Sequence, residues 1–135
     1  FYQEALKAAA PYGDQVKVHA FIKNMESAYA AADIVISRAG ALAIAELCIV
    51  AKPVIFVPYP FAAEDHQTSN AMSLVNKDAA WMVKNEHAAA QLVAKLLELV
   101  NETGTQAVMH NNLQRLAVDD ADERIARIVK SIAKS

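Results

Sequence analysis

The sequence predicts an α/β fold, a parallel sheet with helices on both faces that ends in a helical segment. Three observations lead there. Short apolar runs alternate with amphipathic stretches through the first part of the chain, as in successive βα units. One run, Pro53-Val54-Ile55-Phe56-Val57-Pro58, is continuous and bounded by prolines, as a parallel strand covered on both faces requires. After Val83 only helical periodicity remains.

Taken in order, Phe1 to Ala10 reads as a helix with Tyr2, Ala5, Leu6 and Ala9 on one face, stopped by Pro11-Tyr12-Gly13-Asp14. Val16 to Ala20 alternates as a strand. Asn24 is a suitable N-cap for a short helix over Met25 to Ala32, with Met25, Ala28, Tyr29 and Ala32 inward. Ile34-Val35-Ile36 is the next strand, and the helix from Ala41 buries Ile44, Leu47, Cys48 and Ala51 at i, i+3, i+4 and i+7. After the proline-bounded strand, a loop over Tyr59 to Glu64 leads to Asp65, an N-cap for a helix over His66 to Val75. Ala79 to Val83 is the last of four strands. Helices are expected over His87 to Asn101, Thr105 to Ala117 and Asp120 to Lys134, broken at Thr103-Gly104 and Val118-Asp119. Four strands with this many helices leave a sheet edge unexplained.

The chemistry concentrates at Ile34 to Glu46, where a strand gives way to the turn Ser37-Arg38-Ala39-Gly40 and then to an Ala-rich helix. Gly40 supplies either a positive φ or close backbone approach. The helix opens with amides that have no intrahelical partner and with the positive end of its dipole, which suits a phosphate or diphosphate. Glu46 lies about one and a half turns further in, and helical side chains lean toward the N-terminus, so its carboxylate can reach a ligand hydroxyl. Amides for phosphates and an acid for ribose suggest a nucleotide site. The plainer reading is that any βα unit has such a turn, with Glu46 a solvated helix position. Against it, Glu46 is the lone charge between Arg38 and Lys52, and a carboxylate in so apolar a helix usually has a partner or a role. Ligands on parallel sheets bind beyond the carboxyl ends of the strands, at a switch point in strand order. The loops after Val18, Ile36, Val57 and Val83 meet that description.

With 135 residues, 55% of them hydrophobic, the chain is one domain with a sizeable core. A net charge of −2 and a pI near 6.1 leave no basic stripe for nucleic acid. The single cysteine, Cys48, reads as a small core residue and provides no disulfide framework. His19, His87 and His110 are isolated. There is no metal-ligand spacing such as HxxxH and no arguable Ser-His-Asp arrangement. No apolar run approaches a membrane span. The chain starts inside an apparent helix without an initiator Met or a signal peptide, and is therefore expected to be a fragment of a longer protein.

At HAFIKNM, ADIVISRAGALAIAE, KPVIFVPYP and EDHQTSNA the sequence closely resembles the MurG family of bacterial glycosyltransferases, and the likeness runs along essentially the whole chain. These enzymes move N-acetylglucosamine from UDP-GlcNAc to the undecaprenyl-linked muramoyl-pentapeptide, making lipid II for peptidoglycan. The resemblance implies a two-domain GT-B protein with a cleft between two Rossmann-like halves. Residues 1–135 would be the larger part of the C-terminal, donor-binding half. An N-terminal acceptor domain and the first strands of this half, with a glycine-rich loop, would lie upstream.

Carried over by position, the resemblance implies that Phe21 and Ile22 bracket the uracil, with the Ile22 backbone pairing to the base. Arg38, Gly40, Ala41 and Leu42 would receive the diphosphate and border the sugar, Arg38 neutralising phosphate charge. Glu46 would hold the ribose hydroxyls. His66 and Gln67 would face the ribose and the transferred sugar, with Asn70 one turn on; amides and imidazoles suit hydroxyls that both donate and accept. For each there is a plainer alternative: Phe21 and Ile22 as core, Arg38 in a surface salt bridge, and His66-Gln67 as an ordinary first helical turn. Ala43 stands where some members have a Thr that adds a phosphate contact, and His66 where some have Gln.

By resemblance the reaction inverts the anomeric centre, with UDP leaving in line and the general base supplied by the other domain. The fragment alone is then expected to catalyse nothing. No cofactor is implied; a divalent cation is not indicated by the sequence, nor is it excluded. The protein would sit on the cytoplasmic face of the bacterial inner membrane through the other domain. Arg124, Arg127, Lys130 and Lys134 follow Asp119, Asp120, Asp122 and Glu123, which reads as dipole complementarity in a solvated helix and not as an anchor. Two alternatives stand beside this. One is a stand-alone subunit of a two-component GlcNAc transferase that binds the donor and borrows a membrane partner. The other is a receiver-like regulatory domain, but Asp33 begins a strand and lacks the acidic cluster that reading needs.

Overall fold

A computed structural model describes residues 1–61 and 65–117, so the helix expected over Asp120 to Lys134, with its cationic stripe, lies outside the described residues. The chain divides into two compact units, Phe1–Ala31 and the part from Ala32 onward.

In the first unit, α1 (Tyr2–Ala9) passes directly into a 3-10 segment, Ala10–Gln15. Pro11 occupies an early position where its absent N–H costs nothing, and Gly13 takes φ 55, a backbone conformation that glycine adopts without a Cβ penalty. None of the α1 residues is buried, including the predicted inward face. The strand expected over Val16 to Ala20 does not form. Alternation marks two faces, but a strand exists only where its backbone finds a ladder, and no described segment pairs with these residues. The helix α2 (Met25–Ala31) begins as predicted: Asn24 Oδ1 accepts the Ser27 amide at 2.9 Å.

The second unit is built on three parallel strands in the order β1 (Val35–Ser37), β2 (Val54–Phe56) and β3 (Trp81–Met82). Ile36 stands opposite Ile55, and Ile55 opposite Trp81. The expected fourth strand is the one absent from the first unit, and strand order does not reverse within the described sheet. Every residue of β2 is fully buried, which is why its sequence shows no alternation.

Between β1 and β2 runs α3 (Ala41–Val50), closed by Ala51 in the left-handed region at φ 52, ψ 35. Leu47, Cys48 and Ala51 are buried as the spacing predicts. Burial pushes the Cys48 thiol pKa up, with Lys77 pulling weakly the other way, so this cysteine is a core residue and not a nucleophile. α4 (His66–Val75) connects β2 to β3. Its N-cap differs from expectation: Asp65 sits at φ 55 and its carboxylate accepts the Thr68 hydroxyl at 2.7 Å instead of capping a backbone amide.

Past β3, a 3-10 turn (Asn85–His87) leads into α5 (Ala88–Asn101), and α6 (Thr103–Leu116) follows at once. The break between them is Glu102, at φ −102 and ψ 72, and not Thr103-Gly104, which lies inside the first turn of α6. Gln106 explains the difference, since its side-chain amide donates to the Leu99 and Val100 carbonyls and finishes α5. Ile55, Val83, Leu99 and Met109 form a core beneath the sheet, with Trp81 and Leu92 against it. α6 is fastened to the far ends of the βα units: His110 Nδ1 bonds the Ala51 carbonyl at 2.8 Å, and Asn112 donates to the Lys77 carbonyl at 2.9 Å. These contacts hold the bottom of the sheet and leave its carboxyl end to the loops.

Candidate functional site

The loops after β1, β2 and β3 meet at the carboxyl end of the strands, and side chains cross-link them there. Ser37 closes β1, its carbonyl accepting the Val57 amide at 2.8 Å. Ala39, fully buried two residues on, is held from both sides by the first turns of α4. Its amide donates to Gln67 Oε1 at 3.1 Å, and its carbonyl accepts Asn70 Nδ2 at 3.1 Å. Gln67 Oε1 also accepts the Tyr59 amide at 2.9 Å, so one side-chain oxygen fixes the loops after β1 and β2 together. Two donors on Oε1 settle the orientation of this amide. Its Nε2 is therefore the end turned toward Gly40, 4.0 Å from where a Cβ on that residue would stand.

Gly40 is the N-cap of α3, at φ −68 and ψ 150. Of the two roles open to it from sequence, the positive φ is not used. Beyond its chain neighbours, nothing else among the described residues lies within 4 Å of a Cβ placed there, so the glycine leaves space that they do not fill. Gly40 has no side chain with which to cap the helix, and the first intrahelical bond runs from the Ile44 amide to the Gly40 carbonyl. The amides of Ala41, Leu42 and Ala43 precede it and have no intrahelical acceptor. The Leu42 side chain is 82% exposed beside them. One turn on, Glu46 is on the exposed side of α3 and is engaged with other residues, as His66 is at the start of α4.

Arg38 Nη1 donates to the carbonyls of Val57 and Pro58, at 3.0 and 3.2 Å, and to Asn85 Oδ1 at 2.7 Å. Its guanidinium carbon stands 5.8 Å from the centre of the Tyr59 ring, within cation–π range. Among the described residues Arg38 makes no salt bridge, the plainer reading of it; carbonyls, an amide oxygen and an aromatic ring are what it meets. Asn85 carried no signal in the sequence beyond following a strand, because its contact with Arg38 spans 47 positions.

The structure thus brings Arg38, Gly40, Ala41, Gln67 and Asn70 to one turn, with Leu42 and Glu46 on the helix that leaves it and His66 at the head of α4. Phe21 and Ile22 belong to the first unit, in the segment before α2. Both are exposed there, Phe21 at 79%, so neither is a core residue within that unit. Among the described residues, no three His, Cys, Asp or Glu side chains are grouped to hold a metal ion, and no helix is long and apolar enough to cross a membrane.

Residues 2–125 match the glycosyltransferase family 28 C-terminal domain. A relative from Cytophaga hutchinsonii, named UDP-N-acetylglucosamine–N-acetylmuramyl-(pentapeptide) pyrophosphoryl-undecaprenol N-acetylglucosamine transferase, is 49% identical over 132 residues, covering 98% of this chain and 35% of its own. A protein of the same name from Phocaeicola vulgatus is 46% identical, over 96% of this chain and 35% of its own. The crystal structure of Acinetobacter baumannii MurG superposes with a TM-score of 0.81 at 28% identity, over 96% of this chain and 39% of that one. The chain spans about a third of the length of these curated relatives.

Proposed function

The chain belongs to the glycosyltransferase family 28 C-terminal domain family, and on that premise we propose that it is the UDP-GlcNAc-binding part of an inverting N-acetylglucosaminyltransferase. The acceptor in this reading is undecaprenyl-pyrophosphoryl-MurNAc-pentapeptide, bound by parts of the protein outside residues 1–135, which also supply the general base and the contact with the cytoplasmic face of the membrane. The observation that carries the proposal is the start of α3: a helix N-terminus opening at a glycine, which brings no capping side chain and whose missing Cβ leaves space among the described residues, on a turn pinned by Gln67 and Asn70.

Transfer of the sugar leaves negative charge growing on the diphosphate. Fixed amides at a helix N-terminus meet that charge without reorganising, and each charge-assisted hydrogen bond contributes about 1.5–3 kcal/mol. Gln67 Nε2, turned toward Gly40, adds a donor there, and Arg38 is assigned to the charge of the diphosphate. Glu46, further along α3, is assigned to the ribose hydroxyls, and Phe21 with Ile22 to the uracil.

Titration of the full-length protein with UDP, UDP-GlcNAc and UDP-GalNAc, repeated with Glu46→Ala, tests the reading. Loss of affinity for all three on substitution is expected, since all three carry the ribose. Unchanged binding would return Glu46 to an ordinary surface position.

A further inference from the structure

We propose that Asn85 is a positioning residue for Arg38, setting the angle at which the guanidinium meets the leaving diphosphate. This rests on the reading above, in which Arg38 faces that group. A guanidinium is planar and carries five N–H donors. Here a single nitrogen, Nη1, is given to three oxygens: the Val57 and Pro58 carbonyls and Asn85 Oδ1. Among the described residues, the three N–H groups of Nη2 and Nε meet no acceptor, and in the reading above they face the diphosphate.

Nη1 carries two hydrogens, both in the guanidinium plane, for these three oxygens, so they must be shared; without Asn85 both would turn to neighbouring carbonyls at one strand end. Asn85 acts from the loop after β3, with the shortest of the three contacts at 2.7 Å. It draws one N–H, and with it the guanidinium plane, toward a separate loop. The Tyr59 ring, 5.8 Å from the guanidinium carbon, stands against the remaining rotation. Asn85 itself is exposed, at the start of a 3-10 turn.

The test is a double-substitution cycle in the full-length protein, with UDP and uridine as probes and the melting temperature recorded for each variant. Asn85→Ala is expected to weaken UDP about tenfold and to leave uridine, which has no phosphates, unchanged. In an Arg38→Ala background the same substitution should alter UDP affinity less than about twofold, because there is no longer a guanidinium to orient. Asn85→Ser, too short to reach Nη1, serves in place of Asn85→Ala should the alanine variant not fold, with the same expectation. An equal loss in both backgrounds, or equal weakening of UDP and uridine, overturns the positioning role. If Arg38→Ala weakens UDP while Asn85→Ala does not, the positioning role alone falls. If Arg38→Ala leaves UDP untouched, the assignment of Arg38 to the diphosphate falls first and takes this proposal with it.

Discussion

Replacing Gly40 with serine separates what the chain needs at that position from what a ligand needs. At φ −68 and ψ 150 the backbone suits any L-residue, and among the described residues beyond its neighbours a Cβ would meet only Gln67 Nε2, at 4.0 Å. Removing a glycine from such a position stabilises by about 0.4–1 kcal/mol through the unfolded chain, and serine is better than glycine as an N-cap by a few tenths of a kcal/mol. Together these give about 1 kcal/mol, a rise of roughly 3–5 °C in melting temperature for a domain of this size. The same Oγ accepts the amide of Leu42 or Ala43, taking a donor assigned here to the diphosphate. Loss of one charge-assisted bond of about 1.5–3 kcal/mol corresponds to a ten- to hundredfold loss of UDP affinity. Gly40→Ser should therefore melt higher and bind UDP worse, with uridine unaffected. Calorimetric titration and thermal unfolding of the full-length protein measure both. A stabilised variant with intact UDP affinity would refute the use of these amides, and a destabilised one would show that the fold itself requires the glycine.

Other outcomes follow from the same geometry. Gln67→Glu keeps an oxygen for the Ala39 and Tyr59 amides but replaces Nε2 with negative charge; it should fold normally and bind UDP more weakly. Gln67→Ala instead strands the amide of buried Ala39 and should cost about 1–3 kcal/mol in denaturant unfolding. Leu47→Ala, at a fully buried position of α3, should cost about 2–5 kcal/mol. The Cys48 thiol should resist aromatic disulfide reagents until the protein unfolds. Because burial raises its pKa, the unfolded chain loses this proton first. Stability is then fully present below the unfolded thiol's pKa and declines as pH rises through the folded value, which Cys48→Ala should abolish in alkaline unfolding curves.

Sequence and structure agree most closely where the signal is local. The proline-bounded run became a buried central strand, and the turn before Ala41 became the start of α3, because flanking residues set both. Val16 to Ala20 failed because alternation cannot report whether a partner backbone is present. Thr103-Gly104 misled because the end of α5 is finished from a distance by Gln106. At the site, residue types at a strand end and a helix start were legible. Their connections were not: that one oxygen of Gln67 serves two loops, or that Asn85 meets Arg38, depends on contacts 8, 28 and 47 positions apart.

The bond from Asn70 to the Ala39 carbonyl has a further consequence. A peptide group preceding glycine can turn over like a crankshaft, exchanging its oxygen for its hydrogen at small cost. Here the oxygen is tethered, and since the unit is planar and trans, the Gly40 N–H must point away from Asn70. The chain thus keeps the room a glycine provides while losing the looseness that usually comes with it, and the polarity presented at this corner is fixed in advance.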